Sequence, residues 1–260
     1  MHYRSIRLEI VDGIATLTLA RPDKLNALTP DMADEMRHAL GHCEGARAIL
    51  IRAEGRAFCS GADLSAILGG GEMVGEGAYV SLTQNYHPLV EDIVHHPLPV
   101  IAEVNGAAAG IGCSIALACD FCVAGEGAYF LQAFVNIGLV PDGGASWLLP
   151  RLIGRARAAE MLMLGEKLPA ARAAEWGLIH RMVADDALPA EAHSLARRLV
   201  DGPTAALGLM KANLTHALHG SLSTTLDAEA VAQRDVAETE DAREGIGAFL
   251  MKRSPEFKGR

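Results

Sequence analysis

The sequence predicts an α/β fold closed by a helical C-terminal module. Short apolar runs rich in β-branched residues alternate with segments of helical periodicity over the first half of the chain. Two glycine-marked turns follow such runs. Beyond about Pro141 the strand signals stop and helical segments succeed one another.

Ile14–Leu19 (IATLTL) alternates in the manner of a strand. Pro30–Cys43 has helical periodicity, with Asp31 and Asp34 near the positive end of its dipole. Ala48–Arg52, Pro99–Val104 and Asp120–Ala124 read as further strands. Between them lie the turns Cys59–Asp63 (CSGAD) and Asn105–Gly112 (NGAAAGIG), each expected to lead into a helix. Leu68–Gly77 is glycine-rich and acidic and reads as a loop or lid edge. Helices are expected over Arg155–Leu164, Ala170–Trp176, Ala190–Val200, Pro203–Leu218, Leu222–Thr239 and Arg243–Lys252. Gly202-Pro203 marks a break between a core, residues 1–200, and a helical module, residues 201–260. No internal repeat is detectable in the sequence.

Of the 260 residues, half are hydrophobic and 21% charged, ample for one large core. Only 5% are aromatic while 27 are glycine, which favours close backbone packing. The net charge is −9 and no long basic stripe occurs. Neither nucleic acid nor an anionic membrane is therefore expected as a partner. An anionic ligand would need local cations to bind against that field. The opening MHYRSIRLEI lacks a signal-peptide core, and five cysteines read as reduced thiols, so a cytoplasmic setting is expected.

Several common motifs fail. Gly106–Gly112 lacks the spacing of a dinucleotide fingerprint, since Ile115 stands where its third glycine would fall. Gly112–Ala116 (GCSIA) lacks the last glycine of a nucleophile elbow. Cys119 and Cys122 form a C-x-x-C without a second pair, which reads as buried thiols. His38 and His42 share a helix face without a third ligand nearby, which reads as a solvated face. Two turns remain, Ser60–Asp63 and Ala109–Gly112. Backbone N–H groups at a strand-to-helix turn lack partners, and two converging turns would make an oxyanion hole; two ordinary left-handed turns explain the same spacing.

Seven stretches together resemble the enoyl-CoA hydratase/isomerase (crotonase) superfamily. They are RPDKLNAL (Arg21–Leu28), AFCSGADL (Ala57–Leu64), VNGAAAGIGC (Val104–Cys113), IGLVPDGG (Ile137–Gly144), PRLIG (Pro150–Gly154), AAEWGL (Ala173–Leu178) and AFLMKR (Ala248–Arg253). They span nearly the whole chain in the family's order. The resemblance implies a crotonase-like spiral of ββα units with a C-terminal helical trimerisation region, assembled as a homotrimer or a dimer of trimers. It implies an acyl-CoA thioester substrate and no cofactor beyond the CoA of the substrate itself. By match to the motifs, the backbone N–H groups of Ala62 and Ile111 form the oxyanion hole. Lys24, Leu25, Ala27, Ser60, Asp63, Leu64, Phe249 and Lys252 border CoA, with Arg21, Lys24 and Lys252 as local cations.

The acids decide the reaction. Hydratases of the family use two glutamates, and those positions are Ser114 and Phe134 here. Neither can move a proton as a carboxylate does. Asp142, in VPDGG, stands where related isomerases carry a single catalytic Asp; read locally, an Asp before Gly-Gly is equally a helix cap. The flanking GGASWLLPR and KRSPEFKG resemble the 1,2-epoxyphenylacetyl-CoA isomerase branch. An apolar wall from Ile67, Phe134, Leu139 and Trp147 would raise the pKa of Asp142 toward neutrality. The expected activity is acyl-CoA isomerisation, of Δ3,Δ2-enoyl or ring-epoxide type. Alternatives are a hydratase with non-standard groups, an aryl-CoA dehalogenase with Asp142 as nucleophile (Phe134 then replacing that group's Trp), and a non-catalytic acyl-CoA-binding protein. Tyr86 and His87 fall on a helix expected near the acyl group, with a plain core or surface role as the default.

Overall fold

Residues 3–63 and 74–260 are described by the computed structural model. Leu64, Ile67 and most of the expected Leu68–Gly77 loop lie outside those residues. Strands β1 (Ile6–Val11) and β2 (Ile14–Leu19) form an antiparallel hairpin around Asp12-Gly13. Both turn residues have positive φ, as a two-residue hairpin of right-handed twist requires. Parallel strands β3 (Ala48–Ala53), β5 (Val100–Val104), β7 (Phe121–Gly125) and β10 (Arg181–Val183) complete a six-stranded sheet, ordered β1-β2-β3-β5-β7-β10. A second sheet holds parallel β4 (Ala57–Cys59), β6 (Ala107–Ala109) and β8 (Tyr129–Leu131), with β9 (Leu168–Pro169) antiparallel at its edge.

The helices are α1 (Pro30–Leu40), α2 (Val74–Ser81), α3 (His87–Val94), α4 (Ile111–Ala118), α5 (Ala145–Leu164), α6 (Ala170–Glu175), α7 (Leu188–Val200), α8 (Thr204–Ala217), α9 (Leu222–Ala237) and α10 (Glu240–Leu250). A ββα unit thus recurs three times, through β3-β4, β5-β6 and β7-β8. Each unit gives its first strand to the large sheet and its second to the small one. The repeat is invisible in the sequence because AFC, AAA and YFL share only a backbone path.

Side-chain alternation splits the core. Ile14, Ala48, Leu50 and Ile101 face Ala192, Ala196, Leu199 and Val200 of α7. Ala15, Leu17, Ile49, Ile51, Val100 and Ala102 face the main core between the layers. Burial on both faces explains why β3 and β5 read as continuous apolar runs.

Several expected boundaries move. Helix α1 ends at Leu40, three residues before Cys43, with Gly41 as its C-cap. Val74–Gly77, expected in a loop, begins α2. The expected Arg155–Leu164 helix starts upstream at Ala145 and is interrupted at Gly154, whose φ of 76° is non-helical. Strand β1 escaped the reading because it is an edge strand with a largely exposed pattern. The two- and three-residue strands are too short to show a period.

Helix α8 is pinned to the core by Lys211, whose buried ammonium meets Asp120 Oδ2 at 2.8 Å and donates to the Ile93 carbonyl at 2.9 Å. All five cysteines are free thiols, four of them buried. The His38 and His42 rings stack at 4.0 Å, with His38 Nδ1 against the Tyr3 hydroxyl at 2.9 Å. Among the described residues, no helix is long and apolar enough to cross a membrane.

Candidate active site

The strand pair β4 and β6 places both glycine turns. The strands are parallel neighbours, so both turns leave the sheet from the same end. A Cβ on Gly110 would lie 3.7 Å from Gly61 Cα, and one on Gly61 would lie 3.3 Å from the Ala109 carbonyl oxygen. Gly61 and Gly110 also hold φ of 110° and 51°. The two turns therefore pack against each other through Gly61 and Gly110, the residues just before Ala62 and Ile111.

Each turn presents a free donor. Ala62 is bridged to Leu28 as in a parallel ladder: Leu28 N–H donates to Gly61 O at 2.8 Å and Asp63 N–H to Leu28 O at 2.8 Å. In that pattern the N–H of the central residue faces the opposite way. Ile111 is the first residue of α4, where N–H groups lack intrahelical acceptors and the dipole is positive. Among the described residues, neither N–H has a backbone acceptor outside its own element.

The segment Arg21–Leu28 braces the first turn. Leu25 and Asn26 hold φ of 51° and 53°. The fully buried Asn26 side chain accepts from Arg21 N–H at 2.8 Å and donates to the Glu54 and Ala57 carbonyls, each at 2.9 Å. Ser60 N–H donates to Leu25 O at 3.1 Å. The expected CoA-bordering residues Leu25, Ala27, Ser60 and Asp63 are therefore neighbours, and Lys24 is exposed beside them. Arg21, expected as a local cation for the ligand, pairs with Asp63 Oδ2 at 3.0 Å and donates to the Ala27 carbonyl. The pair fixes the guanidinium beside the first turn.

Asp142 reaches the site from the other side. A Cβ on Gly143 would fall 2.3 Å from Ile111 Cδ1 and 2.9 Å from Ser114 Cβ, so the Asp142-Gly143 backbone lies directly on the start of α4. Ser114 Oγ donates to the Asp142 carbonyl at 3.2 Å. The cap alternative for Asp142 does not hold: the N-cap of α5 is Gly144, and no side chain caps it. Asp142 Oδ1 is buried with no hydrogen-bond partner among the described residues, and burial pushes the carboxyl pKa up to about 6.

The Phe134 ring lies beside the Gly110 turn, with Cζ 3.5 Å from where a Gly110 Cβ would stand. Trp147 is half-buried and packs on the core, whereas Leu139, expected in the same wall, is exposed. Phe249 and Lys252 are both exposed at the end of α10, an element whose main packing partner is α9. Within one chain they stand apart from this cluster.

Two residues gain a role from the structure. Asn26 knits the bracing loop, a role for which the only sequence signal is an amide between two apolar residues in KLNAL. Tyr86, read as an ordinary helix residue, is almost fully buried and donates its hydroxyl to Leu28 O at 3.0 Å; the adjacent His87 is exposed.

The sequence profile described as Enoyl-CoA hydratase/isomerase matches residues 9–260. A Rhodobacter capsulatus protein named as a probable enoyl-CoA hydratase is 44% identical over 261 residues, covering 100% of both chains. The 1,2-epoxyphenylacetyl-CoA isomerase of Escherichia coli K12 is 41% identical over 251 residues, covering 95% of this chain and 96% of that one. The crystal structure of an enoyl-CoA hydratase from Polaromonas sp. JS666 superposes with a TM-score of 0.92 at 35% identity, covering 97% and 99% of the two chains. The match over nearly the whole length, on a spiral of the same architecture, means that the chain belongs to the enoyl-CoA hydratase/isomerase family.

Proposed function

We propose that this protein is an acyl-CoA isomerase that uses Asp142 as its single acid and base. The observation that carries the reading is the Asp142 carboxyl, buried with no partner at Oδ1 among the described residues and raised to about 6. A group poised there can both take and return a proton near neutrality. The two other positions where family members carry acids are Ser114 and Phe134, neither of which exchanges a proton in this range.

In the proposed mechanism the thioester oxygen accepts hydrogen bonds from the N–H groups of Ala62 and Ile111. Asp142 removes a proton from the α-carbon, and the resulting enolate charge is carried on that oxygen. Returning the proton at the γ-carbon moves the double bond from C3–C4 to C2–C3 and restores the free carboxylate. The sequence is redox-neutral and requires no electron acceptor. Losing one such donor typically costs about 3 kcal/mol in kcat. Lys24, Leu25, Ala27, Ser60, Asp63 and Leu64 border the CoA moiety in this reading. Phe249 and Lys252 reach it from a second copy, in a trimer or dimer of trimers. The exposed apolar side chains Leu214, Leu222, Leu226 and Phe249 support such an assembly. A cytoplasmic location, and a part in fatty-acid or phenylacetate breakdown, go with the same reading.

The test pairs two assays on purified protein. Trans-3-hexenoyl-CoA is followed for formation of the conjugated thioester, and crotonyl-CoA for loss of conjugation by hydration. Isomerisation without hydration, abolished in Asp142→Asn, is the expected result. Rapid hydration, or full isomerase turnover in Asp142→Asn, overturns the mechanism.

A further inference from the structure

We propose that Tyr86 is a positioning residue for this reaction: its hydroxyl, donated to the Leu28 carbonyl, holds the turn that aims the Ala62 N–H. The inference rests on the proposed oxyanion hole and adds to it the part that keeps one of its donors in place.

The geometry is a junction of three hydrogen bonds on one residue, Leu28. Leu28 O accepts from Tyr86 Oη at 3.0 Å and from Asp63 N at 2.8 Å, while Leu28 N donates to Gly61 O at 2.8 Å. Ala62 lies between the two residues so tied and is bridged to Leu28. Movement of Leu28 therefore carries Ala62 with it.

The way Tyr86 reaches this junction also points to a special role. Leu82–Tyr86 is a π-helical turn between α2 and α3, and Tyr86 is its one buried residue. Pro88 supplies the cause, because it has no N–H for the Gln84 carbonyl and the wider turn absorbs the break. The wider turn rotates Tyr86 inward, and Asn85 ties the same segment to α1 through Asp34 Oδ2 at 2.9 Å. Burial, with Asp142 and Asp63 adding to it, pushes the phenol pKa up, so Tyr86 remains a donor throughout the working range. A ring serving packing alone would not need its hydroxyl on this carbonyl.

Tyr86→Phe keeps the ring and removes the hydroxyl. Leu28 O keeps its bond from Asp63, so no buried acceptor is orphaned and folding is preserved. The experiment measures kcat and KM for trans-3-hexenoyl-CoA isomerisation. It also measures affinities for acetoacetyl-CoA, whose enolate mimics the charge in the hole, and for butyryl-CoA, which carries none. The expected result is a fall in kcat of about tenfold with KM within about twofold, and an equal loss of affinity for acetoacetyl-CoA alone. If Tyr86→Phe does not yield folded protein, Tyr86→Met is read in the same way. Unchanged kcat, or equal losses for both CoA ligands, overturns the proposal. Asp142→Asn is run beside it. Loss of turnover there with full turnover in Tyr86→Phe sinks the clamp alone, whereas full turnover in Asp142→Asn sinks the underlying reading as well.

Discussion

Ser114 holds Asp142 by its backbone rather than by its carboxylate. The hydroxyl meets the Asp142 carbonyl at 3.2 Å, while the side-chain Oδ1 has no partner among the described residues. Ser114 is thus a prop for the loop bearing Asp142. Ser114 is fully buried, and Gly143 lies so close that a Cβ on it would fall 2.9 Å from the Ser114 Cβ. Ser114→Glu is therefore expected to displace Asp142 rather than to install hydration. Isomerase turnover should fall at least tenfold with no gain on crotonyl-CoA. Efficient hydration by this variant would show that the loop has room to move.

On the proposed mechanism, the ionisation of Asp142 sets the pH dependence of activity. A base must be free of its proton, and burial raises this carboxyl to about 6. The kcat/KM for isomerisation should fall about tenfold per pH unit well below 6 and level off above about 7. A profile flat down to pH 5 would assign the proton transfer to another group.

The same shift affects stability. The folded-state pKa lies above the ordinary carboxylate value of 3.8, so the native state binds the extra proton between the two. Stability from this group is fully present below about pH 4 and is lost as pH rises through about 6. The loss amounts to about 3 kcal/mol. Asp142→Asn carries no buried charge and should be more stable than the parent at pH 8 by up to that amount, with no advantage at pH 4. Urea unfolding at the two pH values checks both sign and size.

Arg21 and Asp63 form a pair in which each neutralises the other beside the first turn. Arg21→Gln leaves the Asp63 carboxylate without the guanidinium and should cost about 1–3 kcal/mol in urea unfolding. Arg21→Gln/Asp63→Asn should recover part of that loss. CoA affinity falling far more than stability would show that Arg21 also serves as a ligand cation.

Asn26 satisfies two backbone carbonyls and one N–H from full burial. Asn26→Ala should destabilise the protein by about 2–4 kcal/mol, since buried groups lose their partners together. Asn26→Asp, which keeps the acceptor but loses both donors, should do no better. A loss below about 0.5 kcal/mol would mean that water replaces the amide.

Some of this was legible along the chain and some was not. Strands such as AILIRA and PVIAEV declare themselves because both faces are buried and nearly every residue is apolar. Turns such as CSGAD and NGAAAGIG declare themselves by glycines at fixed places, and the acid at 142 by its place in VPDGG. The ββα repeat did not, because its second strands are only three residues long and have no common sequence pattern. Nor could the sequence tell a cap from an unpaired acid at Asp142, since both need the same Asp-Gly-Gly. Local composition determined the alternation of elements, the family motifs and the absence of a second carboxylate. Only the folded chain decided that Gly61 and Gly110 meet, that Arg21 is held by Asp63, and that the Tyr86 hydroxyl lands on Leu28. Those are contacts between residues dozens of positions apart, set by strand order and helix packing, and no local pattern encodes them.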